Sequence, residues 1–183
     1  MFYGDYKSKE NYMEKGYVHI YTGNGKGKTT AAFGLALRAS LAGKNVYIGQ
    51  FVKGMKYHEV AVENLVNNIK IEQFGNGCFI SNSPTKEDIS MGRNALLKCG
   101  NILKKGEYDL VILDEITIAI YFKLFSEEDV IEILKDKHPK VEVVLTGRYA
   151  TDKLIEFSDL VTEMKEIKHY YNKGVLSREG IDV

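Results

Sequence analysis

The sequence lacks an excess of charge of either sign and a long apolar run. Lysine plus arginine number 25 and aspartate plus glutamate also number 25, so the formal net charge is zero. Nucleic-acid-binding domains normally carry a basic excess, so this balance gives no support to a nucleic-acid partner. No apolar run approaches the roughly 20 residues that a membrane helix needs, so no membrane association is expected.

Cysteine is also scarce, with only Cys78 and Cys99 in the chain. Cys99 lies at helical spacing with Ala95, Ile102 and Leu103, which predicts a core position. Neither cysteine has a cysteine or histidine partner at short spacing, which argues against a metal site built from them. No secretory leader is visible, so we expect a reduced cytoplasmic location.

Strand and helix signals alternate along most of the chain. Residues 1–16 are polar and aromatic without periodicity and are predicted to form a flexible arm, and residues 17–183 are predicted to form one domain. Strands are predicted at 17–22, 45–51, 69–74, 110–115, 141–146 and 160–164, and helices at 28–41, 58–66, 85–105, 126–135 and 151–157. This alternation predicts an α/β fold with a mostly parallel central sheet and helices on both faces.

Two helix starts carry capping signals. Thr85 is followed three residues later by Asp88, and the run S-E-E-D begins at Ser126. Both patterns predict a side chain that accepts a hydrogen bond from the first turn of the helix.

The stretch "TGNGKGKTT", residues 22–30, has the strand-before, helix-after context of a phosphate-binding loop. The common pattern is G-x-x-x-x-G-K-[ST], and Thr22 stands where its first glycine is expected. Glycines can turn successive N–H groups inward as an anion nest, and the following helix adds the positive end of its dipole. A plain glycine-rich turn before a helix is the alternative. The predicted ATP-binding residues here are Thr22, Gly23, Asn24, Gly25, Lys26, Gly27, Lys28, Thr29 and Thr30.

Two further signals stand at predicted strand ends. The apolar strand in "VILDE" ends in Asp114 and Glu115, as a Walker B element does, and carboxylates at such ends can hold magnesium directly or through water. We expect Thr29 and Glu115 to be the metal ligands. In "LTGR", Arg148 falls on the same edge and could grip phosphate with two parallel hydrogen bonds, although a solvated surface arginine is an equal alternative.

The motifs "TGNGKGKTTAAFGLALRA" and "GKNVYIGQFVKG" resemble the P-loop type of ATP:corrinoid adenosyltransferase. The resemblance continues through "VILDEI", "VVLTGRYA", "EFSDLVTEM", "IKHYYNKG" and "REGID", and it covers residues 17–183. It implies a RecA-like P-loop fold, and the loop that is one residue short of the common pattern is the form that this family uses.

The resemblance implies transfer of the 5′-deoxyadenosyl group of ATP to the cobalt(I) of a reduced corrinoid, with release of triphosphate. The corrinoid would be cobalamin, cobinamide or cobyrinic acid a,c-diamide, in adenosylcobalamin biosynthesis or salvage. Magnesium or manganese would accompany ATP, the chain would form a homodimer, and a flavoprotein would act as a transient electron donor. Lys28, Thr29 and Glu115 would be the catalytic residues, because the leaving triphosphate requires charge stabilisation.

Corrinoid binding by resemblance falls on the turn Gly75–Gly77 and the residues after it. Some relatives place apolar side chains after such a turn, where they displace the lower axial ligand of cobalt. Phe79 and Ile80 occupy that place here, and the chain contains no tryptophan. The N-terminal arm is expected to cap the corrinoid site.

Three other functions remain open on the residues alone. One is a P-loop ATPase or switch in which Glu115 activates water, and another is a nucleotide or corrinoid carrier without catalysis. A small-molecule kinase is the third, although no arginine-rich lid for phosphoryl transfer is visible.

Overall fold

Strands and helices alternate in the described part of the chain, as the sequence pattern predicts. The structure is a computed structural model and describes residues 15–53, 58–75 and 83–182. The strands are β1 (Val18–Thr22), β2 (Val46–Phe51), β3 (Ile69–Phe74), β4 (Leu110–Asp114), β5 (Glu142–Thr146) and β6 (Leu160–Glu163). The α-helices are α1 (Lys28–Leu41), α2 (Lys86–Lys105), α3 (Ile116–Tyr121), α4 (Glu127–Lys135) and α5 (Asp152–Phe157). His58–Asn64 and Tyr170–Lys173 are 3-10 helices.

The six strands form one sheet in the order β3-β2-β4-β5-β1-β6, and each neighbouring pair is parallel. The prediction of an α/β fold with a parallel central sheet is therefore confirmed. Strand β4 lies inside the sheet and is buried along its full length. This burial agrees with its continuous apolar run, which is typical of parallel strands covered on both faces.

Apolar side chains cover both faces of the sheet. Val111 and Leu113 of β4 face a core shared with helices α2 and α4, whereas Leu110 and Ile112 face a second core shared with α1. Each fully buried aliphatic side chain of this kind contributes about 1.5–3 kcal/mol relative to its exposed state. Cys99 is fully buried in the first core, as its helical spacing predicted.

Both predicted helix caps are present. The Asp88 N–H donates to Thr85 Oγ1 at 3.1 Å, and the Asp88 carboxylate accepts from the Thr85 N–H at 2.8 Å. Ser126 and Asp129 form the same reciprocal pair, at 3.1 and 2.8 Å. These bonds satisfy N–H groups that a helix start otherwise leaves without a partner.

Two short elements were not predicted, α3 and the 3-10 helix Tyr170–Lys173. They contain six and four residues, too few to show a hydrophobic period. In the ranges that the structure describes, no helix is both long enough and apolar enough to cross a membrane.

The carboxyl ends of four strands meet at one edge of the sheet. Gln50 of β2 is in register with Asp114 of β4, and Tyr21 of β1 is in register with Thr146 of β5. Ligands of open parallel sheets bind outside this edge. The glycine-rich loop, defined here as residues 23–27, leaves β1 at the same edge and leads into α1.

Candidate active site

The glycine-rich loop has two left-handed glycines, one at each end. Gly23 has φ +96° and Gly27 has φ +114°, a region that disfavours side chains with a Cβ. Gly27 is the N-cap of α1 and has no side chain to cap the helix. The start of α1 therefore directs N–H groups and the positive end of its dipole toward the edge of the sheet.

The Lys28 side chain folds back into the glycine-rich loop. Its side chain is buried, and Nζ donates to the carbonyl oxygens of Gly23 and Gly25, each at 2.7 Å. Burial, reinforced by the Arg148 guanidinium, lowers the pKa of Lys28 below its usual value. The ammonium thus lies at the centre of the predicted anion site.

The segment after β6 packs so closely on the loop that it explains why residues 23 and 25 are glycines. The Gly25 N–H donates to the Met164 carbonyl at 2.7 Å, and the Met164 N–H donates to the Thr22 carbonyl at 2.8 Å. A Cβ on Gly23 or Gly25 would lie 2.5 or 2.6 Å from Met164 O, closer than atoms can pack. Glycine is required at both positions by this contact, and the Gly25 N–H is already used by the protein.

Asp114 receives four hydrogen bonds in a fully buried position. The hydroxyls of Thr29 and Thr146 donate to Oδ1 at 3.0 and 2.6 Å. The Gln50 amide and the Lys53 ammonium donate to Oδ2 at 3.1 and 2.9 Å. Because a buried carboxyl group is costly unless it is paired and hydrogen-bonded, these four donors offset the cost of burying Asp114.

Glu115 adopts an unusual backbone conformation. Its φ is +60°, sparsely populated for a residue other than glycine, and its N–H donates to Thr146 Oγ1 at 3.0 Å. Burial and the neighbouring Asp114 raise the pKa of the Glu115 carboxyl, against the effect of nearby cations. A divalent cation would favour its ionised form.

Arg148 lies at the same edge with its side chain exposed. The Thr117 hydroxyl donates to its carbonyl oxygen at 2.5 Å, and a Cβ on the preceding Gly147 would lie 2.2 Å from that hydroxyl. The backbone of Arg148 is therefore fixed by α3, while its guanidinium is free to turn toward a ligand.

Lys26 points away from the centre of the loop. Its ammonium donates to the Tyr170 hydroxyl at 2.9 Å, to the Ile181 carbonyl at 2.6 Å and to the Asp182 carboxylate. These partners belong to the C-terminal part of the chain.

The remaining predicted residues differ in exposure. Thr22 is buried, whereas Asn24 and Thr30 are exposed. The predicted corrinoid residues Phe79 and Ile80 lie outside the described residues, as do Cys78 and the N-terminal arm up to residue 14.

The oxygen donors at this edge suit a hard divalent cation. Thr29, Asp114 and Glu115 supply hydroxyl and carboxylate oxygens, the ligands that magnesium prefers. No group of three or more histidine, cysteine, aspartate or glutamate side chains in the described ranges could hold a metal ion. The three oxygen ligands would suit magnesium that takes its other ligands from substrate phosphates and water, as is usual for this ion.

Sequence reasoning missed Gln50, Lys53 and Thr146 as members of the site. A signal for Gln50 was present, because it is a polar residue near the end of an otherwise apolar strand. Lys53 follows the same strand, but its partner Asp114 is 61 residues further along the chain.

Residues 14–183 match the protein family described as ATP:corrinoid adenosyltransferase BtuR/CobO/CobP. The chain is 34% identical over 173 residues to a corrinoid adenosyltransferase of a Sinorhizobium species, which covers 92% of this chain and 81% of that protein. It is 32% identical over 171 residues to the corrinoid adenosyltransferase of Escherichia coli K12, covering 92% and 86%. For the corrinoid adenosyltransferase CobA of Salmonella typhimurium LT2 the identity is 34% over 172 residues, again covering 92% and 86%.

Proposed function

Since the chain belongs to the ATP:corrinoid adenosyltransferase family and is a transferase that adenosylates corrinoids, we propose that residues 22–30 hold the triphosphate of ATP. The observation that supports this placement is the buried Lys28 ammonium, which is bonded to the Gly23 and Gly25 carbonyls inside the glycine-rich loop. In this proposal the loop belongs to a RecA-like P-loop fold.

The main requirement of the reaction is stabilisation of the leaving group. The electron pair of cobalt(I) forms a bond to the 5′ carbon of ATP, the bond from that carbon to oxygen breaks, and triphosphate departs with the electron pair. The protein has no proton to abstract, so its task is to orient the carbon and to stabilise the charge that develops on triphosphate.

Individual side chains divide that task. Lys28 places its positive charge against the phosphates, and N–H groups at the start of α1 donate to phosphate oxygens. Arg148 turns its exposed guanidinium toward the same anion, where two parallel hydrogen bonds can form. Asn24 lies within the loop, and Thr30 follows it in the first turn of α1.

Thr29 and Glu115 would hold the magnesium or manganese that accompanies ATP. When bound, the metal ion would neutralise part of the charge on the leaving triphosphate. Asp114 holds the Thr29 hydroxyl at 3.0 Å and so fixes the position from which that oxygen would coordinate the ion. Loss of activity on chelation, restored by added magnesium or manganese, tests this assignment.

The rest of the proposal follows the family expectation. Phe79 and Ile80 contact the corrinoid, the N-terminal arm caps it, and the chain works as a homodimer in the reduced cytoplasm with a transient flavoprotein electron donor. Sedimentation equilibrium that returned the mass of one chain would contradict the dimer. Unchanged corrinoid affinity after removal of the arm would contradict its capping role.

The decisive experiment replaces Lys28 by alanine. The variant is incubated with MgATP, a corrinoid and a strong reductant, and adenosylcorrinoid and triphosphate are quantified. We expect kcat/KM to fall about 100-fold or more, because a charged group that stabilises the leaving anion is lost. Lys105→Ala, on an exposed helix end, is the matched control and should retain activity.

The products also separate the other functions. Triphosphate with adenosylcorrinoid in equal amounts supports the transfer. Orthophosphate without adenosylcorrinoid would indicate an ATPase, and ADP with a phosphorylated metabolite would indicate a kinase. A Lys28→Ala protein with near-normal transfer would overturn the assignment of the loop.

A further inference from the structure

The C-terminal segment, residues 164–182, lies across the glycine-rich loop. At its start, Met164 exchanges backbone hydrogen bonds with Thr22 and Gly25, at 2.8 and 2.7 Å. At its end, Ile181 and Asp182 contact the Lys26 ammonium. The segment is therefore joined to the loop at two points that are 17 or more residues apart in sequence.

The Lys26 ammonium makes a complete set of hydrogen bonds within the protein. A lysine ammonium has three N–H donors, and those of Lys26 have three acceptors: the Tyr170 hydroxyl, the Ile181 carbonyl and the Asp182 carboxylate. A direct bond from Lys26 to phosphate would require at least one of these acceptors to be released.

The acceptor site for Lys26 is itself organised by other side chains. Asp182 accepts from the Tyr170 hydroxyl, and from Arg178 through Nε at 2.9 Å and the backbone N–H at 3.1 Å. Arg178 also lies 4.6 Å from the centre of the Tyr170 ring. Hydrogen bonds from Lys26, Tyr170 and Arg178 hold the pKa of Asp182 below its usual value, so Asp182 is charged at neutral pH.

We propose that Lys26 is a positioning residue that fastens the C-terminal segment over the glycine-rich loop. Its ammonium binds Tyr170 and Asp182, and Arg178 holds Asp182 in place. This inference rests on the proposed binding of triphosphate by the loop. Lys26 acts through the shape of the loop, because the fastened segment holds Met164 against Gly25 and so sets the direction of the neighbouring N–H groups. Lys26, the extra lysine of the short loop, thus pairs with Asp182 of the run "REGID", residues 178–182.

The direction in which Asp182→Ala changes the KM for ATP distinguishes this role from direct phosphate binding. If Lys26 bound phosphate, Asp182 would compete for it and add negative charge nearby, so Asp182→Ala would lower the KM for ATP. If Lys26 fastens the segment, Asp182→Ala loosens the loop and raises that KM. The two roles predict opposite directions for one variant.

Steady-state kinetics with MgATP and saturating reduced corrinoid form the first test. We expect Lys26→Met and Asp182→Ala each to raise the KM for ATP about five-fold, the upper range for a partly exposed ion pair. The double variant should raise the KM for ATP no more than the more severely affected single variant does. The change in kcat should be smaller than the change in KM, and Lys26→Arg should restore most of the affinity for ATP. Asp136→Ala, in the exposed pair with Lys104, is the matched control.

A lower KM for Asp182→Ala, or losses that multiply in the double variant, would overturn the inference. Either result would assign Lys26 to the phosphate itself. Urea unfolding of each variant checks that the comparison is made between folded proteins.

Hydrogen exchange of the nucleotide-free full chain provides a second test that does not depend on ATP. Backbone bonds within the segment protect Val175, Ile181 and Asp182, among others. We expect Lys26→Met and Asp182→Ala to accelerate exchange of peptides covering 165–182, and the control Asp136→Ala to leave them unchanged. Unaltered exchange in the first two variants would refute the fastening role, whereas failure of the Lys28→Ala activity test would refute only the proposed function.

Discussion

At the scale of single residues, Asp114 shows how the site combines burial with charge. Two hydroxyls, an amide and an ammonium donate to its two oxygens, and these donors come from α1, β2, β5 and the residues after β2. Lys53 forms an ion pair with Asp114. Burial by itself lowers the pKa of Lys53, but the ion pair and hydrogen bond with Asp114, together with the Glu115 and Glu59 carboxylates, raise the pKa above its usual value.

Replacement of Lys53 by methionine should therefore destabilise the protein. Asp114 would keep three neutral donors but lose its cation, and we expect the free energy of unfolding to fall by about 2–3 kcal/mol. Since Lys53 titrates above its ordinary pKa, the pair contributes fully at neutral pH and its contribution is lost as pH rises through that raised pKa. Urea unfolding at pH 7 measures the change.

The double variant Lys53→Met/Asp114→Asn provides the control for this prediction. With the carboxylate also neutral, part of the lost stability should return, because no unpaired charge remains buried. If the double variant is less stable than Lys53→Met by the full cost of Asp114→Asn alone, the two side chains are not coupled.

At the scale of elements, the contact between the glycine-rich loop and the end of β6 depends on main-chain atoms. Met164 follows β6 directly, and it bonds to Thr22, just before the loop, and to Gly25 in the middle of the loop. Gly23 and Gly25 thus have a packing reason in addition to any role in anion binding. A strand at the edge of the sheet thereby supports the loop between β1 and α1.

Gly25→Ala should damage this contact and weaken ATP binding. The new Cβ would lie 2.6 Å from Met164 O, a main-chain atom that can move only with its segment, so we expect a loss of about 1–3 kcal/mol in unfolding free energy. The KM for ATP should rise with it. Thermal unfolding and steady-state kinetics measure the two effects.

Gly34→Ala is the matched control, because it places the same methyl group in the exposed middle of α1. A Cβ there meets nothing within 4 Å, so helix propensity should stabilise the protein by about 0.5–1 kcal/mol. Equal losses in the two variants would show that the Met164 contact is not what requires glycine at position 25.

At the scale of the whole molecule, two cores enclose the sheet and Cys99 reports on one of them. Its thiol is fully buried against the β2 face, and burial raises the pKa of Cys99 to about 12. The thiolate is the reactive form, so burial and the raised pKa together make this cysteine inert in the folded protein.

Alkylation of Cys99 should therefore follow global unfolding. In a Cys78→Ser background at pH 8.5, we expect no modification of the native protein over hours and rapid modification in urea above the unfolding midpoint. The rate at intermediate urea should yield the global free energy of unfolding. Rapid native-state labelling, detected by mass spectrometry, would show that this core opens locally.

The elements and the loop could be predicted because their signals are local. Each of these signals lies within a short stretch of sequence: the strand and helix periods, the caps at Thr85 and Ser126, and the run of residues 22–30. The site was predicted less completely. Gln50, Lys53 and Thr146 reach Asp114 from segments that are distant in sequence, and their side chains alone do not indicate which segments are neighbours.

The sequence by itself determined the α/β alternation, the position of the glycine-rich loop at a strand-to-helix junction and the likeness to corrinoid adenosyltransferases. Only the tertiary structure decided the strand order, the four donors to Asp114 and the partners of Lys26, which lie up to 156 residues away. The physical reason is that backbone hydrogen bonding and hydrophobic period act over neighbouring residues. Pairing of buried or partly buried charges depends on which distant segments the packed cores bring together.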